Sequence, residues 1–257
     1  MRLSIDRLSV GYGHNAVVSN IQLTAQIDAS GPGKMIGVLG INGAGKSTLI
    51  RTITGLQPAL AGEVLLDGKS IISLSARELA EHIAVVLTAE PLNQLLTVRE
   101  LLEIGLNAQS NRVNQLSDDG QLLINKLLTD LKLAELVDRS LASLSDGQRQ
   151  RALIGRALAQ DTPILVLDEP LAHLDLHHQA RIVLLLKQIA LSGKLVIYST
   201  HHVGLALRTC DEMLVLRNGT SVTGTPRALL DDEVIQSLFP TDLLQFDAAS
   251  LQFVLRK

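Results

Sequence analysis

The 257-residue sequence predicts an α/β fold: a largely parallel sheet covered by helices, an antiparallel β part at its N-terminus, and a helical subdomain inserted into the middle. Three observations predict it. Met35-Ile36-Gly37-Val38-Leu39 and Ile164-Leu165-Val166-Leu167 are continuously apolar, as strands buried on both faces of a parallel sheet must be. Between them, from about residue 89, strand patterns give way to helical ones. Gly40-Ile41-Asn42-Gly43-Ala44-Gly45-Lys46-Ser47-Thr48 fits G-x-x-x-x-G-K-[ST], and it lies between a strand and a helix, where that pattern binds phosphate.

The elements follow in order. Residues 2–10 alternate as a strand, and Val17 to Ile27 continue in β fashion across a polar turn at Gly13-His14-Asn15. After the strand ending at Leu39, apolar residues at helical spacing (Leu49, Ile50, Ile53, Leu56) stop near Gly55 and Pro58. Gly62 to Gly68 is a strand ending in an Asp-Gly hairpin turn, Ser75-Ala76-Arg77-Glu78 opens a short helix as a capping box, and Ile83 to Leu87 is again a strand. In the helical block a second capping box, Thr97 with Glu100, starts a helix through Leu106. Gln109 to Gly120 reads as a polar loop, and Leu122, Leu123, Leu127, Leu128 and Leu131 form the stripe of a longer helix. Ser145 and Gln148 cap a third helix, rich in alanine and leucine, that ends before Pro163.

Strands and helices then alternate again: Ile164 to Leu167, a helix from about Leu176 to Leu191, Leu195 to Tyr198, and a hairpin of Met213 to Leu216 with Ser221 to Thr223 about Asn218-Gly219. Helical patterns surround Ala228 and Ile235, and Leu243 to Leu255 reads as a small hairpin. The expected division is residues 1–88 with 160–225 as a discontinuous α/β core, 89–159 as the helical subdomain, and 226–257 as a C-terminal extension.

Composition narrows the function. With 46% hydrophobic residues the chain can bury a sizeable core. A net charge of −3, from 23 basic and 26 acidic residues, gives no electrostatic footprint for nucleic acid, and 2% aromatics leaves no stacking platform for single strands. The single cysteine, Cys210, excludes an internal disulfide framework and suits a reducing compartment. Met1 to Arg7 carry charges where a signal peptide would need its continuous apolar core, and no later stretch reaches the roughly 18 apolar residues of a membrane span. If the protein serves a membrane, it does so as a peripheral subunit on the cytoplasmic side.

The phosphate loop carries the chemistry. Its glycines permit a tight turn whose N–H groups converge on polyphosphate, the helix N-terminus adds partial positive charge, Lys46 adds a full one, and the Ser47 hydroxyl can hold Mg²⁺. At the C-terminal end of the second apolar strand, Asp168-Glu169 places two carboxylates in the crevice where α/β sheets bind ligands. Asp168 would hold Mg²⁺ through water, and Glu169 would orient or deprotonate an attacking water. His173 and His177, four residues apart, carry no HExxH pattern and are not read as a metal site.

Together with three further elements the loop resembles the ATP-binding cassette (ABC) ATPases, which share a P-loop NTPase core of the RecA-like kind. Leu144-Ser145-Asp146-Gly147-Gln148 resembles the family signature LSGGQ, with Asp146 replacing the first glycine. Ile164 to Glu169 resembles the Walker B strand, Leu171 to Asp175 the D-loop, and His201 the switch histidine. The resemblance spans residues 3 to about 225 and rests on the order and spacing of all these motifs.

It implies that Gly40 to Thr48 bind the phosphates of ATP, that Tyr12 stacks on adenine, and that Lys46, Glu169 and His201 act in hydrolysis, His201 by contacting the γ-phosphate. His202 is assigned no chemistry. It also implies that Ser145, Gly147 and Gln148 face the nucleotide of a second copy, in a homodimer that sandwiches two ATP. One departure stands out: the family's Q-loop glutamine should follow Leu87, where Thr88-Ala89-Glu90 stands, with Gln94 further on. Glu90 is one candidate ligand to the metal or its water; Ala89 in the same register would leave the role vacant.

Ser70 to Ala80 and His173 to Gln179 further resemble the ATPases of bacterial iron-siderophore, haem and cobalamin importers. There two ATPase chains sit beneath polytopic permease subunits at the cytoplasmic face of the inner (plasma) membrane, and a binding protein delivers the cargo. The competing expectation is a soluble ABC ATPase of repair, translation or iron–sulfur assembly. The absence of basic extensions or a coiled-coil arm argues against the first two.

Overall fold

The computed structural model describes residues 1–28, 30–88, 93–109, 117–239 and 243–256. Strands β1 (Arg2–Tyr12) and β2 (Asn15–Gln26) pair antiparallel about Gly13-His14, and β3 (Lys34–Leu39) leads through the phosphate loop into α1 (Lys46–Ile53). Strands β4 (Ala61–Leu66) and β5 (Lys69–Ser70) close about Asp67-Gly68, whose φ of 47° and 82° are the pair of positive values a type I′ turn requires. Helix α2 (Ala76–Ala80) begins at the Ser75–Glu78 capping box, and β6 (Ile83–Val86) follows. The helical block holds α3 (Val98–Leu106), α4 (Asp118–Asp130) and α5 (Asp146–Ala159). Alternation resumes with β7 (Ile164–Leu167), α6 (Leu176–Leu191), β8 (Leu195–Thr200), α7 (Val203–Thr209), β9 (Glu212–Arg217) and β10 (Thr220–Gly224). Helix α8 (Pro226–Asp231) and the hairpin β11 (Leu244–Asp247) with β12 (Gln252–Leu255) complete the chain.

Two sheets organise these elements. The antiparallel one runs β2-β1-β4-β5; the larger runs β10-β9-β3-β8-β7-β6, parallel except for β10. Side chains of the parallel strands split cleanly between two cores, as period-two alternation demands. Met35, Leu165, Val196 and Met213 face the layer built from α5 to α8, whereas Ile36, Val166, Ile197 and Leu214 face α1 and the antiparallel sheet. Each fully buried aliphatic side chain contributes about 1.5–3 kcal/mol, and both faces of the strands are occupied, hence their unbroken apolar runs. Cys210 is buried beside Tyr198, and burial pushes its thiol up to about 11, so it is an inert packing residue.

The helices α3, α4 and α5 share a core of their own, in which Val98, Leu101, Ile124, Leu128 and Ala152 meet. Helix α4 starts at Asp118, inside the span read from sequence as a loop, because the Ser117 hydroxyl accepts a hydrogen bond from Gly120 N at 3.2 Å and caps it. The pattern near Ile235 forms a 3-10 turn, Gln236–Leu238, rather than an α-helix. Beyond it Phe239, Phe246 and Phe253 stack edge to face and hold the terminal hairpin.

Helices α3 and α5 cross where Gly105 presses against the backbone of Arg156, so that a Cβ at residue 105 would sit 2.0 Å from the Arg156 carbonyl oxygen. Backbone cannot yield as a flexible side chain does. Gly105→Ala is expected to destabilise the protein by about 1–3 kcal/mol, read as a lowered midpoint in urea; an unchanged midpoint contradicts the close crossing.

Candidate nucleotide-binding site

Strands β3, β8 and β7 end at one edge. Register pairs Leu39 with Thr200 and Leu167 with Tyr198, so Gly40, Asp168 and His201 leave the sheet side by side. This is the carboxyl edge at which open α/β sheets take ligands.

The phosphate loop turns on Gly43 and Gly45, with φ of 82° and 96°. Gly45 is also the residue before α1, and a Cβ there would strike Val17 and Val18 at 2.9 Å. Lys46 opens the helix with its side chain folded back into the loop. Its Nζ donates to Gly40 O at 2.9 Å and Ile41 O at 3.2 Å and pairs with Glu169 Oε1 at 3.0 Å, and the side chain is only 6% exposed. Ser47 Oγ donates to Asp168 Oδ1 at 3.1 Å. Thr48 Oγ1 donates to the Tyr12 hydroxyl at 3.2 Å, which holds an otherwise exposed tyrosine ring at the rim.

Asp168 is buried, and Ser199 fixes it: Ser199 Oγ donates to Asp168 Oδ1 at 2.7 Å and accepts from Glu169 N at 2.8 Å. Thr88 Oγ1 adds a bond to the Asp168 carbonyl at 2.8 Å. Glu169 has a φ of 47°, in the left-handed region, a backbone state that persists for a non-glycine residue only when its surroundings impose it. Ser199 does so from one side, and Ala172 N, donating to Glu169 O at 3.0 Å, from the other. The carboxylate thereby points one oxygen at Lys46 and the other at His201 Nδ1, 3.0 Å away.

These groups line a cleft of about 560 Å³ whose wall carries Tyr12, Asn42, Lys46, Ser47, Glu169 and His201. The structure therefore brings together Tyr12, the loop Gly40 to Thr48, Asp168, Glu169 and His201. Ser145, Gly147 and Gln148 do not line this cleft. Ser145 caps α5 in a reciprocal box with Gln148, and Gly147 packs against the His178 ring of α6 so tightly that a Cβ would lie 2.4 Å from it. Glu90 and Ala89 lie outside the described residues. His178 Nδ1 meets Asp175 Oδ1 at 2.8 Å and Asp175 caps α6; among the described residues no group of three or more histidines, cysteines or carboxylates is arranged to hold a metal.

Sequence reasoning gave no part to Ser199 or Thr88. A signal was present for Ser199, because a hydroxyl at the wholly buried end of an apolar strand must have a partner.

A phosphate loop on this parallel sheet, with a buried aspartate and a glutamate–histidine pair beside it, defines a P-loop nucleotide-binding protein. Residues 26–172 match the ABC transporter family, and the chain belongs to that family. It is 34% identical over 241 residues to the cobalamin import ATP-binding protein BtuD of Halobacterium salinarum, a match covering 93% of this chain and 59% of that protein. It is 32% identical over 242 residues to the iron(3+)-hydroxamate import ATP-binding protein FhuC of Bacillus subtilis, covering 93% of this chain and 88% of that one. Among solved structures, a nucleotide-free ATP-binding cassette from an ABC transporter superposes with a TM-score of 0.79 at 25% identity, over 94% of this chain and 100% of that chain.

Ser199→Ala removes a buried donor and acceptor at once, leaving Glu169 N without its acceptor and Asp168 Oδ1 with the Ser47 hydroxyl alone. A loss of about 1–3 kcal/mol in unfolding free energy is expected, measured by urea denaturation.

Proposed function

We propose that the chain hydrolyses ATP as the nucleotide-binding subunit of a membrane importer whose cargo is an iron–siderophore, haem or cobalamin. The observation that carries this reading is the Glu169 carboxylate held between Lys46 and His201 at the mouth of a phosphate loop. Tyr12 takes the adenine, the loop N–H groups and Lys46 take the β- and γ-phosphates, and His201 hydrogen-bonds the γ-phosphate. A bound triphosphate competes with Glu169 for the Lys46 ammonium. Released from that pair, Glu169 is the group that orients the attacking water and accepts its proton.

The oxygens of Ser47 and Asp168 form a hard donor set that fits Mg²⁺, which takes few protein ligands and completes its shell with phosphate and water. When bound, Mg²⁺ neutralises charge on the phosphate oxygens.

The signature residues support a homodimer. Ser145 is exposed at the start of α5 and outside the cleft of its own chain, so a helix N-terminus suited to an anion serves a nucleotide only if a second copy presents one. The named functions of the relatives support the cargo class.

A membrane partner is supported by a groove. Among the described residues no helix is long and apolar enough to cross a bilayer, so coupling to a membrane requires a docking surface. An apolar groove of about 640 Å³ runs between the core and the helical block, where Leu56, Ile72 and Ile104 stand exposed and Leu79 lines the wall. Its shape and chemistry suit an amphipathic cytoplasmic helix of a polytopic permease. The chain thus sits peripherally on the cytoplasmic face of the inner (plasma) membrane, and a substrate-binding protein acts on it indirectly, through the permease.

Glu169→Gln is expected to lower ATP hydrolysis at least about a hundredfold while sedimenting as a dimer with ATP; a persistent monomer at saturating ATP contradicts the sandwich. Ile72→Asp is expected to release the chain from membranes prepared with its transport partners while ATP binding stays intact, scored by co-fractionation. A chain that never pellets with membranes argues for the soluble class.

A further inference from the structure

Gln179, one turn into α6, is nearly buried, and its side-chain amide spans two elements. Its Nε2 donates to Leu174 O at 2.9 Å, lies 3.4 Å from Leu171 O, and meets His202 Nε2 at 3.2 Å. Carbonyl oxygens only accept, so the NH2 end of the amide must face this group. It follows that His202 Nε2 accepts and that the ring proton sits on Nδ1. Burial, and then the adjoining His201, hold the His202 imidazole below the ordinary histidine range, in keeping with a neutral acceptor.

What the amide joins is the reacting edge. Leu171 and Leu174 belong to the segment that leaves Glu169, a segment that contains a second left-handed residue, His173, with φ of 61°. On the other side, the His202 ring backs the His201 ring at a centroid distance of 4.3 Å. His202 is itself anchored, its N donating to Thr200 Oγ1 at 3.0 Å and its carbonyl accepting from Ala206 N at 3.1 Å. One amide therefore braces both halves of the Glu169–His201 contact.

We propose that Gln179 and His202 are a positioning pair, which holds the segment after Glu169 and the His201 ring in one arrangement so that carboxylate and imidazole meet the γ-phosphate together. The inference rests on the roles given above to Glu169 and His201. Neither Gln179 nor His202 touches nucleotide. Their loss displaces the groups that do, and a displacement on the order of 1 Å is enough to cost turnover while leaving the phosphate loop and affinity untouched.

The test is steady-state MgATP hydrolysis by the full chain, at protein concentrations where specific activity no longer rises, with ATP affinity and thermal stability measured alongside. His202→Leu, which keeps bulk and removes the acceptor, is expected to lower kcat about tenfold with KM and affinity unchanged. His202→Gln, which puts an amide oxygen near the position of Nε2, is expected to stay within about twofold of wild type. Gln179→Met combined with His202→Leu should fall about tenfold, like either single change, and not about a hundredfold, since both break one link. Full kcat in His202→Leu, no rescue by His202→Gln, or additive losses overturn the pair. If His201→Ala abolishes turnover while His202→Leu does not, only the positioning pair fails; if His201→Ala retains full turnover, the reading of His201 fails and the pair with it.

Discussion

A buried lysine side chain is the constraint on which the edge of the cleft depends. Lys46 has left water, and an ion in that position must be compensated by nearby carbonyl dipoles or an opposite charge. The loop supplies two carbonyls, and β7 supplies Glu169. For Glu169 to reach Lys46, its backbone must take the left-handed turn, Ser199 must hold its N–H, and the three strands must end level. The geometry that satisfies one cation thus sets the aim of the carboxylate and, through it, of His201.

The parallel sheet is what makes this affordable in entropy. Strands β3, β7 and β8 are packed on both faces by two separate cores, so their C-terminal ends have little freedom. Side chains projecting from such ends are positioned before any ligand arrives, and preorganisation of this kind is the main protein contribution to phosphoryl transfer.

Much of this was legible in the sequence. Apolar runs from Met35 and Ile164 announced the parallel sheet, the switch in periodicity announced the helical block, and the capping boxes at Ser75, Thr97 and Ser145 all formed. The grouping of Tyr12, Lys46, Ser47, Asp168, Glu169 and His201 followed from motif order. What stayed hidden depends on neighbours distant in sequence. Ser199 reads as the polar end of a strand until register places it between Asp168 and Glu169, and Gln179 reads only within the helix from about Leu176 and the stretch His173 to Gln179 that resembles importer ATPases. The start of α4 was missed because Ser117, a good cap, lies within a polar run that composition alone marks as loop.

The terminal hairpin bears on the same edge from behind. Gly204 has no side chain, and the space a Cβ would take is filled by the carbonyl of Leu251, while Arg208 Nη2 donates to the carbonyl of Ser250 at 2.9 Å. Both contacts fall on α7, whose first residue follows His202 directly. The tail is therefore packed directly behind the helix that follows the histidines, so the placement of α7 depends on a segment that contributes no residue to the lining of the cleft.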